Sequence, residues 1–173
     1  MVTNRYPATC WLTPSAEVRP SPVEGLGLFA TAEIDPGDLV MRLGGQVIDD
    51  VTLAGLTPPY SSLTVEEGVH LLLDPGHPVR YGNHSCDPNL WHDDSTTVVA
   101  RRRVMPGEEL SLDYATHSGT DTWAMPCRCL SPLCRGTVTG GDWRLARLRR
   151  AYGTHWVTPL LRRIAQSEPG ALR

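Results

Sequence analysis

Over the first 115 residues no apolar run grows long enough for a helix before a turn residue interrupts it. The runs are Cys10–Thr13, Gly27–Ala30, Leu39–Leu43, Gln46–Ile48, Ser61–Val65, Val69–Leu73, Thr96–Arg101 and Leu110–Leu112. Between them stand Asp35-Pro36-Gly37, Gly44-Gly45, Asp74-Pro75-Gly76 and Met105-Pro106-Gly107. Proline presets one turn dihedral and glycine supplies positive φ, so the chain reverses at each cluster, and short strands between such turns predict a mostly β, β-rich α+β body. The pattern changes at Asp142. Trp143, Leu145, Leu148 and Tyr152 then recur at helical spacing, with Asp142 as the expected N-cap and Gly153 as the stop. A second helix is predicted around Leu160, Leu161 and Ile164, after Thr158-Pro159. Both stripes are expected to pack against the body.

A chain of 173 residues suits one domain with a small appendage and can bury roughly 70% of the surface its unfolded form exposes. No stretch approaches the roughly 20 apolar residues of a membrane helix, and the N-terminus lacks the basic-then-apolar order of a signal peptide. An intracellular, cytoplasmic protein is therefore expected, without a membrane partner. Five cysteines in a reducing compartment point to metal binding more than to disulfides. Residues 1–141 carry 17 acidic and 9 basic side chains, whereas 142–173 carry 2 and 7. The acidic body suits a cationic substrate. All 16 basic residues are arginine, a bias that points to a GC-rich, bacterial genome; in a eukaryote the expected location is the nucleus.

Four motifs follow one another. Glu24-Gly25-Leu26-Gly27-Leu28-Phe29-Ala30 opens the series, Arg80-Tyr81-Gly82-Asn83-His84-Ser85-Cys86 follows, and Glu109-Leu110-Ser111-Leu112-Asp113-Tyr114 precedes Cys127-Arg128-Cys129-Leu130-Ser131-Pro132-Leu133-Cys134. Together they resemble the SET-domain family of protein-lysine methyltransferases, in a small form with a post-SET cysteine motif, over most of residues 18–140. The resemblance implies small curved sheets closed by a pseudoknot, a zinc loop and C-terminal helices. It divides the chain into a lead-in strand (1–17), the SET domain (18–115), a post-SET zinc segment (116–140) and a helical extension (141–173).

The same resemblance implies transfer of methyl groups from S-adenosylmethionine to a lysine ε-amine of a protein or peptide. Gly25, Leu26 and Gly27 would meet the cofactor through their backbone, since the two glycines lack a β-carbon. Arg80, Asn83 and His84 belong to the cofactor segment, His84 through its main chain, and the Asn83 amide offers a donor and an acceptor to a zwitterionic tail. His77 and Gly82 depart from the family pattern. Tyr114 is the implied catalytic residue, aligning a neutral amine with the methyl group. Tyr60 is either a second tyrosine of the lysine channel or an edge-strand core residue. Leu112 stands where the family places Phe or Tyr and leaves room for di- or trimethylation. Trp143 either packs on the adenine or anchors the core.

Three thiolates within the eight residues 127–134 call for a fourth soft ligand if they hold tetrahedral zinc. In the resemblance, Cys86 joins Cys127, Cys129 and Cys134 around one structural Zn2+, leaving Cys10 over. Two alternatives come from other classes. A catalytically inactive SET-like module would use the knot and the zinc loop to bind partners through its basic helices, and a nucleic-acid binder would use Arg144, Arg147, Arg149 and Arg150.

Overall fold

The computed structural model describes residues 5–167; the first four residues of the expected lead-in strand and the last six of the expected helical extension lie outside the described residues. In chain order the strands are β1 (Trp11–Leu12), β2 (Ala16–Pro20), β3 (Leu26–Ala30), β4 (Leu39–Arg42) and β5 (Gly45–Asp49), followed by a one-turn helix α1 (Asp50–Ala54). Then come β6 (Ser62–Glu66), β7 (Val69–Leu73), β8 (Asn83–His84), β9 (Leu90–His92), β10 (Thr97–Ala100), β11 (Glu109–Leu112), β12 (Ala124–Pro126) and β13 (Thr137–Thr139). Helices α2 (Ala146–Tyr152) and α3 (Thr158–Ser167) end the described chain.

The architecture is mostly β, as the interrupted apolar runs predict, and is built of several small sheets. Their orders are β1-β4-β10-β9, β2-β3-β11-β8, β5-β7-β6 and β12-β13. Each contributes alternate side chains to one core that includes Leu28, Val40, Leu71, Leu90, Val98 and Leu110, all with no exposed surface. Gly37 (φ +87°) and Gly107 (φ +90°) occupy the left-handed region after Pro36 and Pro106, so these two turns are available only because glycine follows proline.

The one parallel pairing among the described residues sets the site. β8 lies beside β11 with Asn83 opposite Ser111 and His84 opposite Leu112, which brings two segments 28 residues apart into register. Asn89 locks them from the side: its Nδ2 donates to the Glu109 carbonyl at 2.8 Å and its Oδ1 accepts from the Ser111 amide at 2.9 Å. Short strands β8, β9, β12 and β13 carry too few apolar residues to announce themselves in sequence. They form because partners already fixed by longer strands offer their hydrogen bonds.

Helix α2 begins differently from expectation. Residues Asp142–Arg144 form a 3-10 turn, the α-helix starts only at Ala146, and no side chain caps it. The Asp142 carboxylate instead accepts from Arg135 Nε at 2.9 Å and from Thr139 Oγ1 at 2.7 Å. A buried guanidinium competes for the oxygens that a cap would use. Gly153 does end the helix, at φ +54°, and α3 covers the predicted leucines.

Arg135 joins these layers. Its Nη1 and Nη2 donate to both oxygens of Asp113 at 2.6 and 2.7 Å, and Tyr152 Oη of α2 donates to the same carboxylate at 2.7 Å. Both charged side chains are almost fully buried, at 3% and 0% exposure. Removing one partner of such a pair leaves the other uncompensated, so Asp113→Ala is expected to cost about 3–5 kcal/mol of unfolding free energy in urea titrations; a loss below about 1 kcal/mol would contradict this account. The wholly buried His92 adds a pH dependence, because burial pushes its pKa down to about 4 against the Asp94 carbonyl, which favours the protonated ring. The unfolded chain takes up this proton near pH ~6.5 and the native chain only near pH ~4, so the stabilisation is complete above the upper value and lost as the pH falls. A loss of about 2 kcal/mol between roughly pH 7 and pH 5 is expected from this group, and His92→Gln should have a flatter profile; parallel profiles would refute the assignment.

Candidate active site

Tyr114 stands at the end of β11, where a 3-10 turn over Tyr114–Thr116 aims its ring between two cavities. The larger, about 930 Å³, is lined by Tyr60, Arg80, Leu112, His117 and Trp123 among others. The smaller, about 300 Å³, is lined by Val23, Glu24, Asn83, His84, Arg128 and Cys129. Tyr114 is the one residue common to both linings. Its hydroxyl donates to the Gly82 carbonyl at 2.7 Å. Burial, with Glu109 nearby, pushes its pKa up to about 12, so the phenol keeps its proton. The ring is flanked by His84 and His117, each with its centroid 5.3 Å away.

The residues singled out from the sequence divide between the two sides. Asn83 and His84 line the smaller cavity, whereas Tyr60 and Arg80 line the larger one. Arg80 donates to the Pro75 carbonyl at 2.7 Å and lies 5.4 Å from the Tyr81 ring centroid. Asn83 departs from expectation in one half of its amide. Nδ2 faces Glu24 O at 3.2 Å, Leu26 O at 3.1 Å and Glu109 Oε1 at 2.7 Å, so its donors are committed within the protein. Only Oδ1 is left to serve a ligand. Gly27 also serves a different neighbour, since a β-carbon there would strike the Glu109 carboxylate. Its missing side chain makes room for that carboxylate, which Ser21 Oγ also contacts at 2.8 Å. Gly25 (φ +47°) has open space where a β-carbon would stand, and Leu26 reaches the site through its carbonyl. His77 caps the 3-10 turn at Pro78–Tyr81.

Trp143 lines neither cavity. It is 7% exposed, with the Arg144 and Arg149 guanidinium groups 4.3 and 5.6 Å from its ring centroid. Arg149 Nε also donates to the Trp143 carbonyl at 2.9 Å, so two of the four arginines in the basic stretch are engaged internally. Spacing alone did not indicate Arg135, because nothing in Cys134-Arg135-Gly136 tells which carboxylate a guanidinium will reach.

The cysteines converge. Donor atoms of His84, Cys86, Cys127 and Cys129 all lie within 4.8 Å of one another. The Cys86 and Cys127 sulfurs are 3.8 Å apart, and two thiolates at about 2.3 Å from one tetrahedral zinc would be separated by about 3.8 Å. Cys134, exposed, donates to the Cys127 carbonyl at 3.6 Å. Burial opposes ionisation of Cys129, but the backbone donors of Cys86 and Ser131 and the thiols of Cys127 and Cys134 outweigh it and bring the pKa down to about 7. The hydrogen bonds of His84 assign its proton in the metal-free ring. Its Nδ1 accepts from the Tyr114 amide at 3.1 Å, so the proton of the neutral ring sits on Nε2, which faces the Cys86 sulfur at 3.3 Å. A nitrogen that carries a hydrogen has no lone pair to give a metal. Cys134, expected as a ligand, is not part of this cluster, its thiol being turned to the Cys127 carbonyl; the three converging sulfurs fit the chemistry of zinc.

The comparisons with known proteins agree with this geometry. The family model described as "SET domain" matches residues 25–115, more than half of the chain. The histone-lysine N-methyltransferase trr of Drosophila melanogaster is 30% identical over 66% of this chain and 5% of its own length. The H3 lysine-4 specific histone-lysine N-methyltransferase of Schizosaccharomyces pombe is 31% identical over 68% of this chain and 14% of its own. The chain thus spans only a small part of these relatives. Among solved structures, the methyltransferase domain of human histone-lysine N-methyltransferase SETMAR superposes with a TM-score of 0.55 at 23% identity, covering 72% of this chain and 58% of that one. Two segments paired in parallel at β8 and β11, with a tyrosine between two cavities, are therefore this chain's version of a shared fold, and the chain belongs to the SET-domain family.

Proposed function

We propose that the protein transfers methyl groups from S-adenosylmethionine to a lysine ε-amine of a protein substrate. The observation that carries this reading is the position of Tyr114, the one side chain among the described residues on both cavity linings, because in-line methyl transfer needs two reactants to approach one point from opposite sides.

The smaller cavity fits the cofactor side. Asn83 Oδ1, free of partners among the described residues, would accept from the ammonium of the methionine tail, and Arg128 on the same wall supplies a cation for the carboxylate. When bound, S-adenosylmethionine supplies a methyl group activated by a sulfonium. The larger cavity fits a side chain that enters from a bound peptide. A lysine there must shed a proton that it ordinarily holds up to pH ~10.4, and apolar wall groups such as Leu112 disfavour the ammonium form. Tyr114 works as a hydrogen-bonding post and not as a base, since its own proton is held and committed to Gly82. Tyr60, 39% exposed, borders the entrance.

The four cysteines would hold a structural zinc, closing residues 127–134 against β8 next to the smaller cavity. Cys129 lines that cavity, so ordering the cysteine loop orders one cofactor wall. The relatives named above act on histones by their names, which favours a histone-like, lysine-bearing protein as substrate and lends no support to a cytoplasmic location.

Two experiments test the reading. Calorimetric titration should show binding of S-adenosylmethionine, and radiolabelled methyl transfer to core histones and a lysine-peptide array should fall on the order of 100-fold in Tyr114→Phe. No cofactor binding would sink the proposal in favour of a non-catalytic module. Metal analysis should give roughly one zinc per chain, lost in both Cys129→Ser and Cys134→Ser. A full equivalent retained by Cys134→Ser would pass the fourth position to His84.

A further inference from the structure

Two histidines on the far side of Tyr114 have their protons assigned by the fold. His92, with no exposed surface, directs Nδ1 at the Asp94 carbonyl oxygen at 3.2 Å. A carbonyl can only accept, so Nδ1 bears the hydrogen. Burial keeps the ring neutral above about pH 4, which leaves a lone pair on Nε2. That nitrogen faces His117 Nδ1 at 3.1 Å. His117 Nδ1 must therefore be the donor, and because burial and the neighbouring His92 and His84 hold His117 well below the ordinary histidine range, its only proton is spent on His92. His117 Nε2 is left bare.

This nitrogen is open to the larger cavity. His117 lines that cavity beside Leu112 and Tyr114, and no hydrogen bond to Nε2 occurs among the described residues. Among the described residues, the buried side-chain polar atoms without a hydrogen bond are Arg19 Nε, Trp143 Nε1 and Trp156 Nε1. Since His117 Nε2 is not one of them and has no partner, it keeps some exposed surface, and its residue lines the groove. An exposed acceptor fixed in one tautomer, on a wall shared with the phenol, is otherwise unused by the fold.

We propose that His117 contacts the substrate, its bare Nε2 accepting a hydrogen bond from the ε-amine of the target lysine and so orienting the amine against Tyr114. This rests on the lysine methyl-transfer reading and deepens it. The ring acts as an acceptor and not as a general base, since its hold on a proton is too weak to take one from lysine. The contact favours nitrogen that still carries hydrogen. A neutral unmethylated amine offers two N–H groups, a monomethylated one offers a single N–H, and a dimethylated one offers none.

The test reads the nitrogen directly. In long-range proton–nitrogen spectra of the 15N-labelled full chain, His117 should show a protonated Nδ1 and an unprotonated Nε2. n-Butylammonium chloride should move the Nε2 resonance, whereas butyltrimethylammonium, equally cationic but without N–H, should not. A protonated Nε2, no response, or equal responses to the two cations would each overturn the proposal. His117→Asn keeps an N–H for His92 while withdrawing the groove acceptor; it should slow transfer to the best unmethylated peptide of the array about 10-fold, with an unchanged Kd for S-adenosylmethionine. His117→Gln, which can again offer an oxygen to the groove, should recover part of the rate. Equal damage to rate and cofactor affinity would make the residue merely structural. Should the wild-type chain transfer no methyl at all, the lysine methyl-transfer reading fails by itself, and the two-cation comparison still decides whether Nε2 receives an amine.

Discussion

The bidentate pair between Arg135 and Asp113 is the constraint on which the other parts of the molecule depend. Asp113 immediately precedes Tyr114, and Arg135 immediately follows Cys134, so one ion pair joins the end of β11 to the end of the cysteine loop. Neither charge has water to turn to, which makes the pairing obligatory once both are buried. Tyr152 and Asp142 complete the hydrogen bonding from the C-terminal side. The helical extension is thereby tied to the same point that positions the phenol. Arg135 also donates its backbone N–H to the Cys86 sulfur at 3.4 Å, extending the tie to β8.

Around Tyr114 the structure builds a site of neutral donors and acceptors. The phenol, His84, His92 and His117 are all held in their uncharged forms by burial. Each proton has an assigned place: Tyr114 Oη gives to Gly82, His84 Nε2 faces Cys86, and His117 Nδ1 gives to His92. Such an arrangement suits a reaction whose protein-side demand is alignment more than acid–base exchange. It also separates the two cavities chemically. The smaller presents Asn83 Oδ1 and Arg128, whereas the larger sets Leu112 and Tyr114 beside a wall that also carries Asp50, Glu67 and Asp121.

Much of the body was legible because proline–glycine punctuation and short apolar runs act locally. The runs at 27–30, 39–43, 61–65, 69–73 and 96–101 each overlap an observed strand, since alternation along a strand needs no knowledge of its partner. Strands as short as Asn83–His84 were not legible, because two residues carry no period and their pairing depends on β11 arriving alongside. Asp142 reads as a cap by its position before an apolar stripe, yet its carboxylate goes to Arg135, a residue seven positions earlier whose side chain no local rule can direct. Gly27 and Asn83 were identified as site residues, but their partner Glu109 was not. Packing between sequence-distant strands put a carboxylate where open backbone and free amide donors were expected.

What the sequence by itself determined is the inventory and its order: a glycine-flanked strand, an Asn-His-Ser-Cys segment, an acidic segment ending in Asp-Tyr, and clustered cysteines, all of which follow from residue identity and short-range spacing. Only the tertiary structure decided where each proton and each lone pair points. A histidine's tautomer, a carboxylate's choice of guanidinium and the free half of an amide depend on which groups lie within about 3 Å after folding. That distance is set by the packing of the sheets and not by separation along the chain.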